Sequence, residues 1–154
     1  WQPIKFQDVT IQPTPVKHWS KRTFFDRNQS LWSGWMVKWD DFSFYFAGDS
    51  GYSNDFKEVS NRLGNPDLAA IPIRAYEPRE FMKSAHINPE EAVMVFKDLG
   101  AKRAIAIHWG TFKLTLEKMD EPPRRLNRAL ESAGISKNRF RVLKHGEFWP
   151  ESLS

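Results

Sequence analysis

Two histidines and one aspartate each lie just beyond a short run that is typical of a β-strand. His108 follows the run 102–107 and Asp49 lies just past the run 42–47, whereas His18 lies beyond a shorter run, 9–12, and a proline-containing loop. In a buried strand, the residue at the carboxyl end is the first that can point into the crevice where α/β sheets hold ligands. Imidazole and carboxylate groups are both ligands of Zn²⁺. The three positions therefore predict a metal site at one edge of a sheet.

The sequence contains no cysteine. This excludes disulfide bonds, a cysteine-ligated zinc and a cysteine nucleophile, so any metal must be held by histidine and carboxylate. The 154 residues suffice for one domain with a core, and 40% hydrophobic with 27% charged residues is an ordinary globular composition. The formal net charge of +4 is modest, so no nucleic-acid partner is expected, and no apolar run approaches a membrane span in length.

Strands and helices are predicted to alternate around these positions. The runs 31–39 and 42–47 flank Asp40 and Asp41 and predict a β-hairpin whose alternating aromatic residues belong to the core. Capping residues and apolar periodicity predict helices from 53–55 to Gly64, over 88–100 and over 121–133, with further strands at 67–73 and 140–143. The segment 74–87, which carries His86, is too polar and irregular for a core element and is predicted to be a binding loop. This alternation indicates an α/β layered domain.

Five segments, in this order, resemble the metallo-β-lactamase superfamily, and within it they look most like the branch of N-acyl-phosphatidylethanolamine-hydrolysing phospholipase D and its bacterial relatives. They are 17–23 (KHWSKRT), 24–28 (FFDRN), 47–52 (AGDSGY), 69–79 (AAIPIRAYEPR) and 107–112 (IHWGTF). The resemblance extends from about Val9 to Trp149. It implies an α/β fold, a four-layer αββα sandwich with a dinuclear zinc site at the edge of its two sheets. Residues 1–154 are then expected to be the C-terminal half of a single domain of that fold.

The resemblance also implies roles for individual residues. His18 is expected to bind one of two zinc ions, Asp49 to bridge both, and His108 to bind the other. Such a carboxylate can span ions roughly 3.5–4 Å apart that hold a bridging hydroxide, already deprotonated near neutral pH. His86 corresponds to an additional active-site histidine. Because it lies in an irregular loop away from the strand ends, we expect it to contact the substrate phosphate or deliver a proton, and not to bind metal. Tyr52, in the motif of Asp49, is expected to contact substrate.

Each of these residues also has a structural interpretation when it is taken alone. A lone histidine at a strand end is more often hydrogen-bonded in a structural role than bound to metal, and an aspartate between glycines is a common turn residue. His86 is equally compatible with a surface position before a helix, and His145 matches no ligand position. Trp32, Trp35 and Trp39 fit contact with acyl chains, although aromatic residues in alternating strands more often belong to the core. Only the combination of motifs favours a metal site.

Three functions fit this combination. The first is a zinc-dependent phosphodiesterase of phospholipase D type, which uses the bridging hydroxide on phospholipids like N-acyl-phosphatidylethanolamine. The second uses the same site to hydrolyse a lactone or an amide, since one fold hosts many chemistries. The third is a degenerate, non-catalytic binding module. It ranks last because it predicts the loss of ligand positions, and three of them are present.

The expected ligand set is incomplete. A dinuclear site needs about four ligands on each zinc, and three are identified. In the resembled family a His-x-His-x-Asp-His motif supplies the rest, and the four histidines of this sequence do not form one. We therefore expect a preceding N-terminal half that carries the motif, without which one face of residues 31–47 would lie bare. A small-molecule or phospholipid substrate, peripheral contact with a membrane and a homodimer are the other expected partners.

Overall fold

The computed structural model describes residues 1–149. Its strands are β1 Ile4–Phe6, β2 Val9–Thr14, β3 Gly34–Lys38, β4 Ser43–Phe46, β5 Leu68–Pro72, β6 Arg103–Ile107 and β7 Phe140–Arg141. Its helices are α1 Asp55–Leu63, α2 Arg79–Met82, α3 Pro89–Leu99 and α4 Glu121–Ser132. The predicted α/β class is confirmed, and β1 and α2 are elements that the sequence did not predict. Among residues 1–149, no helix combines the length and hydrophobicity needed to cross a bilayer.

All seven strands of this part of the chain form one mixed sheet in sequence order. The strands β1 to β4 pair antiparallel, and β4 to β7 pair parallel. Parallel strands end at the same edge of a sheet. Because β2 lies two antiparallel pairings away from β4, it runs in the same direction and ends at that edge too. The carboxyl ends of β2, β4, β5 and β6 therefore define one edge, as the strand-end histidines and aspartate require.

One face of the sheet is covered by helices. Met36 of β3 pairs with Tyr45 of β4, and both are buried in the same core as Phe56 of α1 and Leu126 of α4. The helix α3 supplies most of its apolar residues to this core, and its start has the expected capping box between Asn88 and Glu91. Such a box satisfies two of the free N–H groups at a helix start. The helices thus hold the sheet edge rigidly from one side.

The opposite face of the sheet carries exposed aromatic side chains. Trp35 pairs with Phe46 across β3 and β4, and their side chains are 36% and 40% exposed. The prediction that the aromatic alternation of this hairpin belongs to the core is therefore wrong for Trp35, and Trp39 is exposed as well. Successive strand residues point to opposite faces, so only Met36 and Tyr45 of this pattern face the helices.

The start of the segment 74–87 is buried, although the sequence predicts a polar loop outside the core. Arg74 and Tyr76 are almost fully enclosed. The buried carboxylate of Glu117 lies 3.2 Å from Arg74 Nε, and it accepts hydrogen bonds from the backbone N–H groups of Ala75 (3.1 Å) and Glu77 (3.2 Å). Buried polar groups are tolerated when they are paired in this way. The start of this polar segment can therefore be buried because Glu117, which is distant in sequence, pairs with its polar groups. Local sequence patterns do not indicate this pairing.

Candidate metal centre

The carboxyl-terminal edge of the sheet brings His18, Asp49, His86 and His108 into one cluster. The rings of His18 and His86 meet edge to face with centroids 5.2 Å apart, and His86 stacks on His108 at 5.7 Å. His108 Nε2 lies 3.3 Å from Asp49 Oδ1. One possible ligand atom from each of His18, Asp49 and His86 lies within 4.8 Å of the other two. We call these four residues the histidine cluster.

Hydrogen bonds tie the segment of His18 to the turn that carries Asp49. The backbone N–H of Lys17 donates to Ser50 Oγ at 3.0 Å, and the N–H of Gly51 donates to the carbonyl of Lys17 at 2.7 Å. Ser50 is fully buried, so this connection is shielded from water. Two of the predicted ligands are therefore held next to each other by the backbone, before any metal binds.

Gly51 brings the segment of His86 to the same turn. A Cβ atom at Gly51 would lie 2.9 Å from the carbonyl oxygens of both Lys83 and Ser84, closer than real side chains allow. The glycine therefore lets the chain between α2 and α3 pack directly on the turn of Asp49. The expectation that His86 lies away from the strand-end residues is wrong for this reason. The predicted role of His86, contact with the substrate phosphate or proton delivery, is not tested by this position and stays a prediction.

His108 leaves β6 in a left-handed backbone conformation, with φ of 58°. Non-glycine residues seldom adopt this conformation, and where they do, functional sites are enriched. The next turn is supported by His145, whose Nε2 lies 3.2 Å from Thr111 Oγ1 and whose Cε1 leaves no room for a Cβ at Gly110. His145, which matched no ligand position, therefore has a structural contact beside the cluster.

The donor atoms of the cluster fit a metal ion. His18 Nδ1–H donates to the carbonyl of Trp19 at 2.8 Å, which leaves Nε2 of the neutral ring as a free acceptor. His18 Nε2 and His108 Nδ1 are both buried without a hydrogen-bond partner among residues 1–149. An unpaired buried nitrogen costs roughly 1–3 kcal/mol, which an ion bound to His18 Nε2 would offset at that position. The 3.3 Å between His108 and Asp49 also matches two ligands about 2.0–2.1 Å from a tetrahedral zinc ion.

The imidazole of His86 is largely shielded from water. Burial lowers the pKa of His86 to about 4; Asp49 opposes this shift, and the guanidinium of Arg79 adds to it. The ring is therefore neutral at pH 7 in the metal-free protein. No residue of the described chain hydrogen-bonds this imidazole, so its nitrogens are open to a ligand. A neutral imidazole has one N–H donor and one acceptor, which suits contact with a phosphate or with a metal.

Tyr52 is engaged elsewhere. Its hydroxyl donates to Asp98 Oδ2 of α3 at 2.7 Å, and its ring packs against the core. The hydrogen bond to Asp98, together with burial, raises the pKa of Tyr52 to about 12. The hydroxyl thus fixes α3 against the turn of Asp49, and the predicted contact of Tyr52 with substrate stays a prediction. Its contacts indicate a structural role.

A cavity of about 430 Å³ opens beside the histidine cluster. Its walls are mainly apolar and include Ile107, Trp109 and Leu114, while His108 and Lys144 add polar edges. Ligand pockets commonly have volumes of about 300–1,000 Å³. The cavity is therefore large enough for part of an organic substrate next to His108.

Sequence reasoning gave no role to Glu117 or Arg79. Glu117 lies in the run 112–119, whose pattern fits neither helix nor strand, and its partners are about forty residues away. Arg79 ends the motif 75–79, and its side chain donates to the carbonyl of His86 at 2.8 Å. The motif was the only signal for Arg79, whereas nothing in the local sequence marks Glu117.

Residues 1–109 match the family model described as the Beta-lactamase superfamily domain. The N-acyl-phosphatidylethanolamine-hydrolyzing phospholipase D 1 of Caenorhabditis elegans is 44% identical over 147 residues, which cover 94% of this chain and 41% of that protein. The mitochondrial N-acyl-phosphatidylethanolamine-hydrolyzing phospholipase D of Saccharomyces cerevisiae is 39% identical over 128 residues, 81% of this chain and 27% of that protein. The chain thus spans less than half the length of either relative.

Solved structures share the fold. Igni18, a metallo hydrolase from the archaeon Ignicoccus hospitalis, superimposes with a TM-score of 0.71 at 24% identity, over 96% of this chain and 56% of that one. The metallo-beta-lactamase fold protein YhfI from Bacillus subtilis gives 0.66 at 18% identity, over 96% and 52%. These similarities confirm the metallo-β-lactamase fold, of which the chain covers about half the length.

Proposed function

The chain belongs to the beta-lactamase superfamily, and we propose that it carries part of the active site of a zinc-dependent phosphodiesterase. The proposed substrates are phospholipids like N-acyl-phosphatidylethanolamine, because relatives 44% and 39% identical to the chain are named for hydrolysis of that lipid. The proposed reaction is of the phospholipase D type, in which the bond between phosphorus and the head-group oxygen is cleaved.

The observation that carries the proposal is the histidine cluster itself. His18, Asp49 and His108 come from three separate strand ends, yet His108 Nε2 lies 3.3 Å from Asp49 Oδ1, and His18 Nε2 is buried without a partner in the described chain. Most buried polar atoms are hydrogen-bonded within the protein. A metal ion would pair with this nitrogen.

Within the proposed site, each residue has a distinct task. His18 and His108 offer imidazole nitrogens to different ions, and Asp49 lies beside both histidines, where a carboxylate can bridge. A pair of zinc ions would supply an activated water and neutralise charge on the phosphoryl oxygens. His86, neutral and without a hydrogen-bond partner in the described chain, would donate its N–H to a phosphate oxygen or to the leaving oxygen.

We further propose that the remaining ligands come from a second half of the same domain, which carries the His-x-His-x-Asp-His motif. Three residues cannot complete two zinc sites of about four ligands each. The face of the sheet with Trp35 and Phe46 supports this proposal, because a second sheet packed there would cover both side chains. An intact mass of only 18.0 kDa for a folded, monomeric and catalytically active protein would contradict it.

The exposed loop beside His18 suits a lipid substrate. Phe24, Phe25 and Leu31 are 89%, 91% and 99% exposed, and Lys21 lies over the ring of Phe24. Apolar side chains next to basic ones favour the surface of an anionic membrane. This loop supports the predicted peripheral membrane contact, while the predicted homodimer stays a prediction.

The test combines metal analysis with two classes of substrate, and it uses the complete protein. We expect close to two zinc ions per site, hydrolysis of bis(p-nitrophenyl) phosphate and of N-acyl-phosphatidylethanolamine in mixed micelles, and loss of both activities on chelation. If the protein binds zinc but hydrolyses only lactones or amides, the proposed phosphodiesterase reaction is wrong and the second hypothesis, attack on a carbonyl carbon, is favoured. If the protein binds no metal, the third hypothesis, a non-catalytic binding module, would be favoured.

A further inference from the structure

The imidazole of His86 is not oriented by any hydrogen bond from residues 1–149. Within residues 1–149 its imidazole contacts the rings of His18 and His108 but has no hydrogen-bond partner. Polar contacts reach the residue only through its backbone, where the N–H donates to the carbonyl of Met82 at 2.8 Å and the carbonyl accepts from Arg79 Nη1 at 2.8 Å. The position of the ring therefore depends on how firmly this backbone is held.

The guanidinium of Arg79 connects that backbone to the start of α3. Its Nη2 pairs with Glu91 Oε2, while the same oxygen accepts from the backbone N–H of Asn88 at 3.2 Å. Asn88 in turn caps α3 by accepting from the N–H of Glu91 at 2.8 Å. The side chain of Arg79 is 24% exposed, so these contacts are largely shielded from water. Arg79 thus fixes the carbonyl of His86 to a helix that is embedded in the core.

The backbone of Arg79 is anchored from the other side. Its N–H donates to Glu77 Oε2 at 3.1 Å, and the N–H of Glu77 donates to the buried carboxylate of Glu117 at 3.2 Å. The motif 75–79 therefore runs from the Glu117 carboxylate at one end to His86 and α3 at the other. These contacts give the motif 75–79 a structural role, although its residues are neither candidate metal ligands nor part of the cavity wall.

We infer that Arg79 is a positioning residue for His86. It holds the imidazole between His18 and His108 through the backbone carbonyl, and it uses two different nitrogens of one planar group for His86 and Glu91. Lysine offers a single nitrogen and lacks this fork, so the arrangement is specific to arginine. The inference rests on the proposed function for its kinetic consequence, because the role of His86 in turnover belongs to that proposal.

The kinetic test is a double-mutant cycle on the complete, metal-loaded protein with bis(p-nitrophenyl) phosphate. We expect Arg79→Ala to lower kcat about tenfold or more, the usual scale for a residue that orients an active-site group, with KM and zinc content unchanged. Because Arg79 acts through His86, the variant with both Arg79→Ala and His86→Asn should be no slower than His86→Asn alone. Ethylguanidinium should restore part of the activity of Arg79→Ala, and Arg124→Ala, which removes a surface arginine paired with Asp120, should change nothing. Additive losses, or loss of zinc, would overturn the inference.

A second measurement separates this inference from the proposed function. The imidazole resonances of His86, assigned by their disappearance in His86→Asn, should shift or broaden in Arg79→Ala and remain in place in Arg124→Ala. If the wild-type protein hydrolyses no phosphodiester, the proposed function fails while this readout still applies. Unchanged His86 resonances in Arg79→Ala overturn the positioning role. Should Arg79→Ala not fold, Arg79→Lys, which keeps the charge beside Glu91, serves in both measurements with a smaller expected effect.

Discussion

The histidine cluster and the group around Glu117 lie at neighbouring strand ends. They differ in how far their buried polar atoms are hydrogen-bonded within the protein. Both oxygens of the Glu117 carboxylate accept hydrogen bonds, from Arg74, Thr115 and the backbone of the motif 75–79. Arg74 leaves only Nη2 without a partner in the described chain. The histidine cluster instead leaves a buried nitrogen open on both His18 and His108.

This difference distinguishes a structural polar group from a binding site. Pairing inside the protein turns a buried charge into a fixed connection between segments, which adds rigidity. Open nitrogens reduce stability and are tolerated where a ligand completes them. Changes at His18, Asp49 or His108 should therefore reduce metal binding and turnover more than the stability of the metal-free protein, whereas a change at Glu117 should mainly reduce stability.

The largest effect is expected for Asp49→Asn. An amide lacks the charge of a carboxylate that bridges two cations, so turnover should fall to the level of the chelated protein, with metal affinity down by about 10–100-fold or more. The melting temperature of the metal-free protein should stay unchanged, because the side chain of Asp49 is 40% exposed. Metal analysis, turnover and thermal unfolding check this. Asp120→Asn, at an exposed surface pair, is the control, and full metal content with normal turnover in Asp49→Asn would show that the bridging role is wrong.

His86→Asn sharpens the comparison inside the cluster. If His86 acts on substrate, turnover should fall by roughly 10²–10⁴, the scale of a proton-transfer group, with zinc stoichiometry unchanged. Steady-state kinetics and metal analysis of the same samples provide the measurement. Loss of zinc from this variant would instead make His86 a ligand, as its closeness to His18 and Asp49 permits.

Glu117→Ala tests the other side of the comparison. The change leaves the guanidinium of Arg74 buried without its carboxylate, and the side chains of this pair are 2% and 0% exposed. Breaking such a buried pair costs about 3–5 kcal/mol, so the free energy of unfolding should fall by about that amount in a denaturant titration. Glu58→Ala, which removes the exposed pair with Arg62, should cost less than about 1 kcal/mol. Equal effects of the two changes would contradict the structural role of Glu117.

The smallest effect is a dependence of stability on pH in the metal-free protein. Burial lowers the pKa of His86 to about 4, while the unfolded chain protonates this histidine near its ordinary value of about 6.5. Between these values the unfolded state binds more protons, so the free energy of unfolding should decrease as the pH falls from about 6.5 to about 4. Urea titrations across this range should show a shallower decrease for His86→Asn. An identical pH profile for both proteins would mean that His86 is not buried as described.

The meeting of three candidate ligands could be predicted from local patterns in the sequence. His18, Asp49 and His108 follow predicted strands, and parallel strands end at one edge of a sheet, so strand ends and direction suffice to bring them together. The helix α3 was predictable for the same reason, since its Asn88 cap, Pro89 and Gly100 lie within one helix length. Their metal-binding roles remain predictions.

Tertiary structure alone decided the rest. The approach of His86 to Asp49 depends on the absence of a side chain at Gly51, opposite Lys83 and Ser84. The burial of Arg74 depends on Glu117, 43 residues further along the chain. The helices pack on one face of the sheet, and this decides which aromatic residues of the β3–β4 hairpin reach the core. The period-2 alternation of a strand is the same for both faces and does not indicate which of them is covered. A local pattern specifies what a segment can form, whereas contacts between distant segments are set by packing, which short stretches of sequence do not encode.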